Sequence, residues 1–273
     1  MRRAPVELLA GLAILIVLLA VAFTKPGAFA QAGAIDLLNR LSAPGTEGRL
    51  VGSDQLGRDL LARIVAGAPW SLGVAAGATS LAVVLGVTLG LAAAEGSKWT
   101  RSAILQVANL ALSFPGLVAA VAAVAVLGQG AVTLILVLGL LSWALFARVV
   151  YAEALAVRTR DYVVAARIGG VRSPTILWRH VLPALTPSLI AMTVFHFADM
   201  LVAASALSFL GVGAPLGAPA WGAMLAESRP YLYQAPWLLA GPAVALAATV
   251  LALNLMGDGL AKLLSPSNAG RRR

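Results

Sequence analysis

Apolar residues in this chain come in long unbroken blocks, separated by short polar interruptions, with no alternation along any of them. Blocks lie at about 6–23, 71–94, 102–127, 130–150, 187–210 and 236–260. Each is long enough to cross a hydrocarbon core of roughly 30 Å, which takes about 20 helical residues. The pattern predicts an all-α membrane protein with six transmembrane helices. A transmembrane β-barrel is excluded, because barrel strands alternate apolar and polar positions.

The interruptions give the organisation. Residues 1–23 form an N-terminal tail and first span, broken only by Glu7 near its start. Ala28-Phe29-Ala30 looks like a signal-peptidase site. The apolar run before it is longer than a signal core of about 7–15 residues, and more spans follow, so an uncleaved anchor is expected. Residues 24–70 read as a polar loop containing Pro26, Pro44 and the stretch Gly52-Ser53-Asp54-Gln55-Leu56-Gly57-Arg58-Asp59, whose charges predict a solvated loop and short helix. Residues 71–264 hold the remaining spans, and 265–273 a basic tail. In the second span, Gly73/Gly77 and Gly86/Gly90 have the small-residue spacing that lets another helix approach closely. Pro115 removes a backbone donor in the third and frees the carbonyl of Ala111, so a kink is expected, of the sort that lines cavities.

The longest polar interruption of the second half runs from Tyr151 to Pro187 and carries Arg158, Arg160, Arg167, Arg172 and Arg179. Asp161 is placed to cap a short helix over 162–168, ended by Gly169-Gly170. Ser173-Pro174 reads as the start of a second helix that ends before Pro183, and Thr186-Pro187 as the start of the fifth span. The segment is thus a folded helix, glycine turn, helix element. A second polar loop covers 211–234.

Composition changes the reading of charge. The chain is 60% hydrophobic and 11% charged, with a net charge of +9 and no cysteine. In a soluble protein such basicity would point to nucleic acid. Here fourteen of the twenty Lys and Arg fall on the side holding both ends and the Tyr151–Pro187 stretch. That makes this side cytoplasmic, by the excess of bases in inner loops. Without cysteine, disulfides, thiolate metal sites and Cys nucleophiles are absent.

Chemistry-bearing residues are few. Asp199 falls near the middle of the fifth span, where a carboxylate costs about 2.5–3.5 kcal/mol to insert. His196 precedes it by three residues and shares its helical face. Two readings stand: a substrate-path or proton-relay pair, and a hydrogen-bonded pair that fixes packing. No GxxxxGK[ST] occurs, so the chain has no P-loop, and no HExxH occurs. Asp258 follows a glycine as in intramembrane aspartyl proteases, but their second glycine is missing here. Transport or scaffolding remains, driven from outside the chain.

Ala165-Ala166, Gly170, Ile176 and Leu182-Pro183 resemble the EAA loop of binding-protein-dependent ABC importer permeases. GSDQLGRD (52–59) with Ala68 to Leu72, Ser113-Phe114-Pro115, ALSFLGVG (206–213) and NLMGDGL (254–260) are similar to stretches of the dipeptide/oligopeptide/nickel permeases, C-subunit type, in the same order. The resemblance covers nearly the whole chain from Gly52 to Pro266. It implies a type I ABC importer permease fold whose cytoplasmic coupling loop (151–186) docks on an ATPase. On this chain the coupling residues would be Asp161, Ala165, Ala166, Arg167, Gly169, Gly170, Arg172, Leu182 and Pro183. Arg179 and His180 would face either the ATPase or lipid headgroups. Pro115, His196 and Asp199 would lie on the translocation path. The implied partners are a second homologous permease, also expected from the small-residue faces of the second span, two cytoplasmic ATPases and an extracytoplasmic solute-binding protein, in a bacterial cell membrane. This chain would be non-catalytic and bind no metal or cofactor, with ATP and Mg held by the ATPases. Short peptides, or nickel and metal chelates, are the implied solutes; a membrane scaffold that recruits a cytoplasmic partner is the non-transport alternative. Two positions depart from the family pattern: Val164 and Ala204 stand where it has glutamates.

Overall fold

A computed structural model describes residues 5–23, 27, 32–46, 48–215 and 217–264. Arg2, Arg3, Lys25, Ala28-Phe29-Ala30 and the tail 265–273 lie outside the described residues. The element order is α1 (Val6–Phe23), α2 (Leu60–Glu95), α3 (Lys98–Ser113), α4 (Gly116–Leu127), α5 (Ala131–Arg158), α6 (Asp161–Ile168), α7 (Ser173–Ile176), a π-helical turn (Leu177–Val181), α8 (Leu182–Phe209), α9 (Trp221–Ser228) and α10 (Trp237–Leu264). Among the described residues there is no strand, only an isolated bridge between Ser53 and Asp59. Four helices are long and apolar enough to cross a membrane: 60–95, 131–158, the continuous 173–209 and 237–264. A fifth span follows if α3 and α4 count as one, and the apolar part of α1 is shorter, Val6–Ala20. The chain is an all-α, multi-pass membrane protein.

Several boundaries differ from those expected, each for a local reason. The second span starts at Leu60, not at 71, so the last eleven residues of the expected 24–70 loop are helical. Asp59 accepts from the Ala62 N–H at 2.8 Å and caps it. The helix then runs through Pro69 because α9 clamps it on both sides. Trp221 donates through Nε1 to the Ile64 carbonyl and through its N–H to Ser71 Oγ, at 2.8 and 3.1 Å.

The third span is not a kinked helix but two helices at 89°. Phe114 is extended (φ −89°, ψ 140°), the conformation a following proline imposes. Conversely, Pro183 and Pro187 do not interrupt the fifth. Residues 173–209 form one run, in which the Leu182 N–H bonds the Leu177 carbonyl across a π turn. The widened turn spares the clash that Pro183 would make in regular α-helix. The 211–234 loop contains α9, which the sequence pattern did not show.

The bundle core joins α2, α4, α5, α8, α9 and α10 through residues such as Val74, Leu134, Leu201, Trp221 and Leu253. Three of the four α2 glycines singled out in the sequence are used within this chain. A Cβ at Gly86 or Gly90 would lie within 3 Å of α5 backbone, and one at Gly77 would strike Ile135. Gly77, Gly86 and Gly90 therefore do not mark the second permease, as had been expected, because α5 already occupies them; Gly73 faces open space.

Candidate functional site

The basic interruption is shorter as a loop than its sequence implies, because Tyr151–Arg158 still belongs to α5. Asp161 is the first residue of α6 and makes no capping bond; Arg160 holds the cap position, and Arg172 does so for α7, where Ser173 was expected. Gly169 closes α6, its N–H bonding the Ala165 carbonyl at 2.8 Å, and Gly170 turns the chain at φ +77°. That left-handed backbone favours glycine. The expected helix–glycine turn–helix element is therefore present.

Its two faces differ. Val163, Ile176 and Val181 are fully buried against Leu91 and Ala94 of α2, Phe146, Val150, Ala154 and Val157 of α5, and Leu185 of α8. Arg158 ties the base, pairing with Glu95 at 3.4 Å and donating to the Ala94 carbonyl. The other face exposes Tyr162, Val164, Ile168 (83%), Val171 and Trp178 (66%) alongside Ala165, Arg167 and Arg172. Together these exposed side chains form an apolar surface, a feature common at protein interaction sites. Leu182 and Pro183 sit behind this face within the continuous 173–209 helix, and Arg179 stays exposed while the His180 ring tilts against Tyr162 at 6.1 Å. Behind them, a cleft of about 530 Å³ opens between α5, α8 and α10, where Ser188 Oγ donates to Glu153 at 2.5 Å and Arg160 stands at the edge.

His196 and Asp199 are not brought together. The His196 ring turns inward, edge-on to Phe146 at 5.0 Å, with Nε2 unbonded, while Asp199 is exposed on the outer side of α8. No hydrogen bond joins the two. The hydrogen-bonded packing pair is therefore not formed: His196 is buried and Asp199 is exposed on α8. Pro115 is likewise exposed, at the break between α3 and α4.

A second cluster was misread from sequence. The 52–59 stretch is not solvated: Asp54 is 1% and Arg63 2% exposed at their side chains. Asp54 Oδ2 accepts from Arg58 Nε at 2.6 Å and Arg63 Nη1 at 2.8 Å, while its Oδ1 accepts the N–H groups of Leu56 and Arg58. Arg63 Nη1 also donates to Glu227 of α9 at 2.9 Å, and the Trp237 indole of α10 to the Ser53 carbonyl. Gly57, at φ +74°, passes so close to Asp36 that any side chain would collide with its carbonyl. These bonds lock the segment before α2 to α9 and α10, at the end of α2 opposite the helix–turn–helix element. The local sequence holds Asp54, Arg58 and Arg63 with glycines at the turns, but the second acid of the cluster, Glu227, lies far along the chain.

Residues 82–269 match the family of binding-protein-dependent transport system inner membrane components. Among similar proteins, the dipeptide transport system permease protein DppC of Alkalihalophilus pseudofirmus is 34% identical over 84% of this chain and 75% of its own length. The glutathione transport system permease protein GsiD of Pectobacterium atrosepticum is 35% identical, covering 84% and 76%. The di/tripeptide transport system permease protein DppC of Pseudomonas aeruginosa is 36% identical, covering 80% and 72%. With a family match over well over half its length and relatives of this likeness, the chain belongs to the binding-protein-dependent transport system inner membrane components.

Proposed function

We propose that this chain is a permease subunit of an ATP-driven importer for short peptides, acting with a second homologous permease, two cytoplasmic ATPases and an extracytoplasmic binding protein. The observation that carries the reading is the coupling element: a buried hydrophobic anchor beneath an exposed apolar face, turned by Gly170. Such an element transmits force, because displacing the docked face must displace α2, α5 and α8 with it. The chain itself hydrolyses nothing; ATP and Mg belong to the ATPases. Peptide as the solute is supported by the relatives, which are named for dipeptides, di/tripeptides and glutathione. Six spans with both ends cytoplasmic fit the placement of Glu95, Lys98, the coupling element and Leu264 at one end of the bundle.

Docking on this face is apolar where relatives of the family type use a glutamate, since Val164 is itself part of the exposed surface. Asp161, Ala165, Ala166, Arg167, Gly169 and Arg172 frame that surface, and Leu182-Pro183 lead from it into α8. Asp199, exposed on a membrane-spanning helix, and Pro115 are assigned to the translocation path; His196 supports α8 from inside. Reconstitution of the full complex with its binding protein should give ATP-dependent dialanine uptake. Ile168→Asp should abolish it while leaving membrane insertion intact; uptake that survives this change would reject the coupling assignment. ATP hydrolysis by the chain alone would reject the subunit reading.

A further inference from the structure

One face of α3 is out of place in a membrane protein. Ser102, Gln106, Asn109 and Ser113 are all exposed, and their spacing of four, three and four residues puts them on a single stripe of the helix. The opposite face is packed: Ala108 is buried against Trp143, Ala144 and Ala147 of α5, with Leu85, Leu89, Ile104 and Ala111 around it. Trp143, Ala144 and Ala147 lie midway along α5, and Leu85 and Leu89 in the last third of α2, so the stripe runs alongside two helices long and apolar enough to cross the membrane. Carboxamides in contact with acyl chains would lose their hydrogen bonds with nothing in return. Gln106 recovers one bond, donating to Ser102 Oγ at 3.0 Å; no bond is made by the Asn109 side chain among the described residues.

The end of the stripe gives an independent observation. α3 stops at Ser113, and residues 112–118 are all exposed around the extended Phe114. The last carbonyls of α3 have no intrahelical donor, and a Cβ added at Gly116 would meet nothing within 4 Å. Broken backbone at this depth persists only where protein covers it or water reaches it. Two features that lipid disfavours, a carboxamide stripe and an open helix break, are continuous on one side of one helix.

We infer that the Ser102–Gln106–Asn109–Ser113 stripe and the break beyond it are the wall of the water-filled path, where backbone amides of a short peptide in transit exchange hydrogen bonds. Carboxamides both donate and accept, as peptide groups do, and are indifferent to side-chain identity. The stripe is about 16 Å long at 1.5 Å per residue, the reach of about five extended residues at 3.3 Å each. The inference rests on the peptide-importer reading, and the test separates the two.

Because the chain has no cysteine, Gln106→Cys, Asn109→Cys and, on the apolar flank, Val107→Cys can be probed in the reconstituted complex with a membrane-impermeant methanethiosulfonate. Gln106→Cys and Asn109→Cys should react at least about tenfold faster than Val107→Cys, thiolate formation needing water. Dialanine under turnover with ATP and binding protein should slow both. Asn109→Leu should lower dialanine uptake about five- to tenfold, the scale of one lost hydrogen bond, and Asn109→Gln should restore it. Equal rates at all three positions, or crosslinking of the stripe to the second permease, would overturn the inference even if the complex imports dialanine. Fast labelling without any dialanine uptake would instead overturn the peptide reading and, with it, the peptide contact.

Discussion

Two charged stretches of this protein look alike in sequence and are opposites in structure. Residues 52–63 carry Asp54, Arg58, Asp59 and Arg63; residues 158–179 carry five arginines and Asp161. The first folds inward, and its charges pair across α2 and α9 with almost no exposure. In the second, only Arg158 is used internally, while Arg160, Arg167, Arg172 and Arg179 remain exposed above a buried valine–isoleucine anchor. The difference lies in balance. Arg58 and Arg63 are neutralised in a low-dielectric setting by Asp54 and, from α9, Glu227, whereas an excess of bases cannot be buried and must face water, headgroups or a partner. Charge therefore organises one end of the molecule as a fixed clamp and leaves the other end's bases exposed.

This contrast can be broken most forcefully at Arg63. Arg63→Leu removes the buried cation that Asp54 and Glu227 share, leaving them Arg58 and, for Glu227, Gln55; removal of one member of a buried pair costs about 3–5 kcal/mol. Thermal unfolding in detergent should fall accordingly, whereas Arg167→Gln should stay within about 0.5 kcal/mol of the parent. Comparable losses at both sites would erase the distinction between clamp and docking face.

The glycines sharpen it further. Gly57→Ala and Gly170→Ala share a left-handed backbone, worth about 1–2 kcal/mol each. Only Gly57 also meets the Asp36 backbone, a Cβ there lying 1.7 Å from the carbonyl oxygen. The clamp variant should be clearly less stable than the coupling variant, and an equal shift would show that the clamp yields as easily as the turn.

At the docking face the expected pattern reverses. Val164→Asp should leave unfolding within about 0.5 kcal/mol of the parent, because the side chain is exposed. It should nonetheless weaken recovery of the ATPases with the purified complex. Unchanged assembly and uptake would move the docking surface elsewhere on the element.

The smallest effect is expected at Asp36, on the edge of the clamp. The Asn39 amide, followed by Arg49, holds its carboxyl below the ordinary value. A lowered folded-state value means its stabilisation is present above the ordinary carboxylate range and is lost as pH falls through the depressed value. Asp36→Asn should therefore destabilise slightly at neutral pH and become indistinguishable from the parent in acid; a difference that persists in acid would assign its role to shape instead of charge.

What the sequence determined by itself follows from solvent. Long apolar blocks have one home, so the α-helical membrane class and the approximate spans were legible, as were the turn at Gly169-Gly170 and the family motifs. Local rules misled where tertiary contacts outweighed them. Pro69 fell in an expected loop and Pro183 after an expected helix end, yet α9 holds one helix through its proline and a π turn accommodates the other. Pro115, expected only to kink, breaks its span, because little packs on that side to keep it straight. The facing of side chains was beyond the pattern altogether. His196 and Asp199 share a helical face by spacing, but a neighbouring ring takes one and leaves the other outside; Gly86 and Gly90 promise a close partner without saying that it is α5. Asp54 and Arg63 look solvated until α9 brings Glu227 to them. One-dimensional spacing sets which residues share a face of an element, and only packing decides what that face meets.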